Sequence, residues 1–307
     1  MSKSMELKFT GCMLGCAIGD ALGAFYEGRL FNDLKTSDIT FSGRWTDDTH
    51  MMIGVAESLI KCRGFNGEHM VWKFIRNWQR EPWRGYGPGP PRVFQLILSG
   101  VPWREVAKRL YGGAGSLGNG AAMRVAPVAL LYYDDVEKLR EVACKSAEIT
   151  HAHELGKEGA AVQAYAIALA LRTNDGGFDP EDYLRDVVSF AKNKVFRDKL
   201  LKAIRLLDED DKRIIIKELG NEVETSNSVP TAIYCFAKNH DSYLKSVLYA
   251  VSLGGDADTI ASMTGAIAGA FHGEEGLPGE WVGKLEKADY IRSLARELWK
   301  LKKSHNT

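Results

Sequence analysis

Residues 8–24 carry Gly11, Gly15, Gly19 and Gly23, one glycine every four residues, and a later stretch repeats the spacing with Ala261, Gly265, Gly269 and Gly273. On an α-helix, positions i and i+4 share a face, so each run presents a ridge without side chains. A glycine inside a helix costs up to about 1 kcal/mol against alanine. Four in register need something to offset that cost, and close approach of two helix backbones does so. The flanking Met13, Leu14, Ile18 and Leu22 supply apolar surface for the other sides of the first run. The spacing therefore predicts a tight central helix pair. Around it, residues 50–80, 93–98, 103–111, 135–147, 153–172 and 286–302 repeat apolar positions at helical period. No stretch reads as a sheet or an interdomain linker, so the expectation is an all-α, compact multi-helix fold in a single domain spanning 1–307.

The second ridge is preceded by Ser252-Leu253-Gly254-Gly255-Asp256-Ala257-Asp258-Thr259. Asp256, Asp258 and Thr259 offer hard oxygen ligands, the kind that Mg²⁺, Mn²⁺ or Ca²⁺ prefers. One aspartate there could simply cap the helix, where its charge also suits the positive helix end. A second stretch, Arg44-Trp45-Thr46-Asp47-Asp48-Thr49, opens the helical run His50 to Cys62 in the same way. Capping needs one such side chain, so each start holds a carboxylate more than a cap requires. Facing each other, the two starts would hold one or two hard cations. Without a cation, mutual repulsion would raise the pKa of some of these acids. Asp20, near the end of the first glycine helix, reads either as support for such a site or as a partner for nearby backbone. Residues 29–43 are polar and aperiodic, with one β-prone piece at 38–41, and a loop of that length between packed helices suits a lid. Glu27 sits at its hinge, either as a solvated helix end or as a carboxylate carried by the lid.

Between these stretches, Pro82 to Pro91 reads as loop, because proline and glycine at that density break regular elements. The glycine-rich run Gly112 to Gly120 leads into an expected helix at Ala121-Ala122-Met123-Arg124-Val125. Free backbone N–H groups there would suit a phosphate, although neither nucleotide fingerprint is present and a flexible turn is the plainer alternative. Of Thr150-His151-Ala152-His153, pocket-lining or capping is a better reading than zinc ligation, which would need further Cys or His partners. The run 208–213 reads as a solvated connection between helices. Ser228 to Phe236 reads as the start of a buried helix with Pro230 in its first turn. Lys+Arg and Asp+Glu both number 40, so bulk electrostatic binding to nucleic acid or anionic membrane is not expected. The five cysteines are scattered without a CxxC pair, as in a reducing compartment. With neither a signal-peptide core nor an apolar run near ~18 residues, the expectation is a cytoplasmic protein, or a nuclear one in a eukaryote.

Gly19-Asp20-Ala21-Leu22-Gly23, Trp45-Thr46-Asp47-Asp48-Thr49, Gly115-Ser116-Leu117-Gly118-Asn119-Gly120 and Gly254-Gly255-Asp256-Ala257-Asp258-Thr259 stand in the order that the ADP-ribosylglycohydrolase family shows them. The chain resembles that family over nearly its whole length. Phe25-Tyr26-Glu27, Arg84-Gly85-Tyr86-Gly87, Glu218-Leu219-Gly220-Asn221 and Ser228 to Phe236 resemble its ADP-ribosylhydrolase type-three branch, which cleaves serine-linked ADP-ribose, poly(ADP-ribose) and O-acetyl-ADP-ribose. The resemblance implies a binuclear centre of two Mg²⁺, or Mn²⁺, at Glu27, Thr46, Asp47, Asp48, Asp256, Asp258 and Thr259. It implies Glu27 and Asp256 as catalytic groups, with Glu27 on a flap. It also implies substrate contacts from Asp47, Gly115, Ser116, Leu117, Gly118, Asn119 and His151, with Tyr111 stacking on adenine. Leu117 stands where that branch usually has an aromatic ring. The partners implied are ADP-ribosylated proteins and other ADP-ribose conjugates, met by a monomer. An arginine-specific member of the family, or a catalytically silent one, are the alternatives.

Overall fold

A ridge without Cβ atoms is stable only where another backbone fills it, and the two glycine runs fill each other. The computed structural model describes residues 4–28, 40–173 and 175–305. In it the runs lie on α1 (Met5–Gly23) and α14 (Ala257–His272). A Cβ on Gly15 would come within 2.4 Å of the Gly265 carbonyl oxygen, one on Gly19 within 2.1 Å of that of Ala261, and one on Gly269 within 2.0 Å of that of Gly11. No side chain larger than hydrogen fits there, which is why the interior glycines recur. Gly273, the last of the second run, ends α14 at φ +71°, a value that favours glycine.

In chain order the helices between this pair are α2 (Asp47–Cys62), α3 (Gly67–Arg80), α4 (Gly89–Leu98), α5 (Trp103–Arg109), α6 (Ala126–Tyr132), α7 (Val136–Ala147), α8 (Glu154–Arg172), α9 (Pro180–Phe190), α10 (Lys194–Arg205), α11 (Lys212–Leu219), α12 (Thr225–Lys238) and α13 (Tyr243–Ser252). After the pair come α15 (Gly279–Lys284) and α16 (Ala288–His305). Among the described residues there is no strand, only an isolated bridge between Gly118 and Glu224. The all-α expectation holds. α16 packs on α1, while α8, α12 and α13 pack on α14, so the central pair is enclosed and Phe9 to Leu22 is buried throughout. No helix among the described residues is long and apolar enough to cross a membrane.

Three local expectations shift. α4 begins at Gly89, with Pro90 and Pro91 in its first turn, where a missing N–H and a fixed φ cost nothing; the loop is therefore shorter than 82–91. Pro230 lies in the interior of α12, which starts at Thr225 rather than Ser228. The Thr231 hydroxyl next to it lies 2.7 Å from both the Asn227 and the Gly220 carbonyl oxygens. The glycine-rich run does not open a helix at Ala121: residues 120–124 form a turn and α6 starts only at Ala126. Most of the predicted lid, residues 29–39, and with it Arg29, lies outside the described residues.

Candidate active site

Every carboxylate of the predicted site starts from one of three chain breaks: the end of α1, the start of α2 and the start of α14. The end of α1 brings Asp20 to α2. Its fully buried carboxylate accepts from the N–H and hydroxyl of Thr46 at 3.0 and 2.8 Å, and from the N–H and hydroxyl of Thr49 at 3.0 and 2.6 Å. Thr46 itself, as N-cap, accepts from the Asp48 N–H. The donors of Thr46, Asp48 and Thr49 are thus taken up without the Oδ1 of Asp48. Asp20 serves as the anchor of a helix start, one of the two roles open to it from sequence.

The start of α14 uses another solution. Asp256 occupies the N-cap position but its side chain makes no capping hydrogen bond. Its backbone N–H donates to the Asn221 carbonyl at 2.8 Å, and its Oδ2 accepts from the Asn119 amide at 2.5 Å. Gly255 lies at φ +68° against Asn221, where a Cβ would meet the Asn221 carbonyl oxygen at 2.2 Å. The capping explanation for Asp256 therefore fails, while Oδ1 of Asp258 accepts from the Thr259 N–H at 2.9 Å.

The two starts face each other. The Thr259 hydroxyl reaches Oδ2 of Asp48 at 3.5 Å. Glu27 joins them because the Gly28 N–H donates to the Gly255 carbonyl at 2.9 Å. One carboxylate oxygen each of Glu27, Asp256 and Asp258 then lies within 4.8 Å of the others. Burial pushes the Asp47 carboxyl up to about 8, with Asp20 adding to the shift. Burial, then Asp20 and Asp258, pushes Asp48 up; burial, then Asp256 and Glu27, pushes Asp258 up. Asp256 rises through burial against the Asn119 hydrogen bond, and Glu27 through burial and the charge of Asp256. Oδ1 of Asp48 is buried and has no hydrogen-bond partner among the described residues. An orphaned carboxylate oxygen inside an all-oxygen donor set fits a hard cation, which would supply the missing partner and offset the repulsion.

The sequence model of the ADP-ribosylglycohydrolases matches residues 1–307. The chain belongs to the ADP-ribosylglycohydrolase family. It is 34% identical over 353 aligned residues to ADP-ribosylhydrolase ARH3 of Gallus gallus, covering 98% of this chain and 95% of that one. To ADP-ribosylarginine hydrolase Tri1 of Pseudomonas putida (strain GB-1) it is 25% identical over 307 residues, covering 94% and 77%. A solved structure described as an ADP-ribosylglycohydrolase-related protein complex superposes with a TM-score of 0.77 at 27% identity, covering 97% of this chain and 99% of that one. This ADP-ribosylglycohydrolase is accordingly a hydrolase.

The glycine-rich loop of the hydrolase lies beside the acids and is fixed from below. Asn119 bonds Asp256 and, at 3.0 Å, the Ser228 hydroxyl; its N–H donates to the Val223 carbonyl, and the Leu117 carbonyl accepts from the Thr225 N–H. His151 is buried beneath the loop. A Cβ on Gly120 would come within 2.7 Å of its ring, and its Nδ1 pairs with the Thr150 hydroxyl at 2.8 Å. Burial, with Arg124 nearby, pulls the His151 pKa down to about 3, so the ring is neutral. Ser116 is buried and its hydroxyl accepts from the Gly118 N–H, Leu117 is half-buried, and Gly115 turns the chain at φ +75° against His153. Tyr111 stands apart at the outer end of this stretch, mostly exposed at φ +52°.

Three participants escape a reading by residue type. Gly85 passes over the start of α2, where a Cβ would lie 3.7 Å from Thr46 Cβ and 3.8 Å from Asp47 Oδ1. Asn221 holds the Asp256 turn, and Arg124 is fully buried near Asp47. Only Gly220-Asn221, a glycine at φ +88° before an amide that can hold a turn, left a local trace in the sequence.

Proposed function

We propose that this hydrolase cleaves the bond at C1″ of ADP-ribose in O-linked conjugates: serine-type ADP-ribosylated protein, poly(ADP-ribose) or O-acetyl-ADP-ribose. The observation that carries the reading is the facing pair of helix starts whose carboxylates are spared from capping. Thr46, Asp47, Asp48, Asp256, Asp258, Thr259 and Glu27 would hold two Mg²⁺, or Mn²⁺. When bound, such ions supply chelation of vicinal ribose hydroxyls and an activated water. Glu27, on an exposed turn tied to the Asp256 loop, protonates the leaving oxygen. Asp256, oriented by Asn119, aligns the water and takes its proton. Departure of the leaving group builds positive charge on the sugar, which the surrounding carboxylates stabilise. Residues 115–119 line the diphosphate, Tyr111 and Leu117 flank the adenine, and His151 supports the loop in its neutral form.

A serine alkoxide leaves poorly unless protonated, so a positioned acid such as Glu27 favours the O-linkage over the arginine N-glycoside. The greater identity to ARH3 than to Tri1 supports the same choice. The test is competition between serine- and arginine-ADP-ribosylated peptides at equal concentration, with Mg²⁺ and with EDTA, followed by mass spectrometry. Loss of ADP-ribose from the serine peptide should run ahead and stop in EDTA, and Glu27→Gln should cut turnover by roughly 10²–10⁴-fold while retaining ADP-ribose binding. Faster loss from the arginine peptide would return the chain to the arginine-cleaving branch.

A further inference from the structure

A buried cation lies behind the acids. Arg124, in the turn between the glycine-rich loop and α6, has no exposed surface. Burial of a charge is expensive unless it is paired, yet the contacts of this guanidinium are with neutral groups. Nη2 donates to the Ser146 carbonyl at 3.0 Å, Nη1 meets Sδ of Met51 at 3.7 Å, and the guanidinium carbon stands 4.8 Å over the Phe74 ring. Nε has no partner among the described residues. A methionine or leucine would fill that space without the desolvation cost, so packing alone does not account for an arginine.

Its place on the fold does. Met51 is one turn beyond Asp47 on the same face of α2, about 6 Å along the helix axis. The guanidinium thus lies against α2 one turn along from the start that presents Asp47 and Asp48. Burial pulls the Arg124 pKa down to about 9, and Asp47 is the first charge opposing that fall. Arginine stays protonated where a buried lysine gives up its proton readily, so the charge is permanent.

The geometry points to Arg124 as a positioning residue for the acid cluster: a fixed positive charge that offsets carboxylate repulsion in the metal-free protein and opposes divalent cations when they bind. This rests on the reading of the cluster as a cation site. The fold would then be less dependent on metal, and the metal less tightly held, than the carboxylates alone dictate.

The test compares Arg124→Gln, which keeps a donor without charge, with Arg124→Lys, which keeps a charge only while its buried ammonium stays protonated. Thermal unfolding of the EDTA-treated and Mg²⁺-loaded proteins is read beside calorimetric Mg²⁺ affinity. Arg124→Gln should lower the metal-free midpoint, enlarge the rise that Mg²⁺ produces, and tighten Mg²⁺ by at least about tenfold. Arg124→Lys should fall between wild type and Arg124→Gln in both affinity and rise. A glutamine variant that folds only with Mg²⁺ also supports the inference. Equal losses with and without Mg²⁺, unchanged or weaker affinity in Arg124→Gln, or a glutamine variant unfolded in both conditions would overturn it and leave a packing role. A lysine variant that fails to fold would also overturn it, by making the guanidinium's hydrogen bonds the requirement. If wild type itself binds no cation, the metal reading fails and this inference falls with it, an outcome distinct from wild-type binding with an unresponsive variant.

Discussion

At the start of α2, one buried carboxylate from another helix and one threonine take the donors of Thr46, Asp48 and Thr49, leaving Oδ1 of Asp48 without a partner among the described residues. At the start of α14, the N-cap aspartate makes no capping bond and is held sideways by Asn119, Asp258 accepts from the Thr259 N–H, and Asn221 holds the Asp256 backbone. Both arrangements free carboxylates for other work, but by different means. The α2 end is braced by a charge within the helix pair itself, and the α14 end by neutral amides on two surface-reaching loops. The first should therefore govern folding, and the second should govern how Asp256 is aimed.

The largest effect is expected at the braced end. In Asp20→Ala, four donors lose one shared, fully buried acceptor, at a cost of about 3 kcal/mol. Denaturant unfolding in Mg²⁺ measures it, and a loss below about 1 kcal/mol would show that the threonines find other acceptors. Asn119→Ala should be milder for folding, at about 1–2 kcal/mol. It should lower kcat by roughly 10–100-fold, since it releases Oδ2 of Asp256. Equal losses of stability from the two variants would erase the contrast between the ends.

Acidity tests both ends together. Asp47, Asp48, Asp256 and Asp258 all have folded-state pKa values above those of the unfolded chain, Asp47 at about 8. The folded state therefore binds more protons, and its stability falls as pH rises. In the metal-free protein the thermal midpoint should drop between about pH 6.5 and pH 8; below that range the depressed His50 and His151 oppose the carboxylates. Saturating Mg²⁺ should flatten that slope, and a flat metal-free profile would mean that the carboxylates are solvated after all.

The smallest effect belongs to the loop that Asn119 anchors. Leu117 is half-buried; on the proposed reading it would offer adenine an alkyl surface, whereas an aromatic ring adds about 0.5–1.5 kcal/mol beyond burial. Leu117→Tyr should tighten ADP-ribose binding several-fold by calorimetry. Weaker binding would place the loop differently relative to the base.

Periodicity carried the helix pair. A four-residue glycine spacing on a helix has a single geometric consequence, and Gly11, Gly15, Gly265 and Gly269 meet backbone in the structure as that consequence requires. The surplus of acids at two helix starts was likewise visible, because caps have a known demand and Asp47-Asp48 and Asp256-Ala257-Asp258 exceed it. What local sequence did not contain was the division of labour. Whether Asp20 served metal or backbone depended on where α2 begins in space relative to α1, a contact between residues 26 positions apart. Asn119 reaches Asp256 across 137 positions, and Arg124 acquires its meaning only because α2 passes it with Met51 and Asp47 on one face. Helical period and capping chemistry act over one or two turns, so they can be read along the chain. Burial of a charge and the choice of its partner are set by the low-dielectric interior that distant segments enclose together, and only the assembled helices decide them.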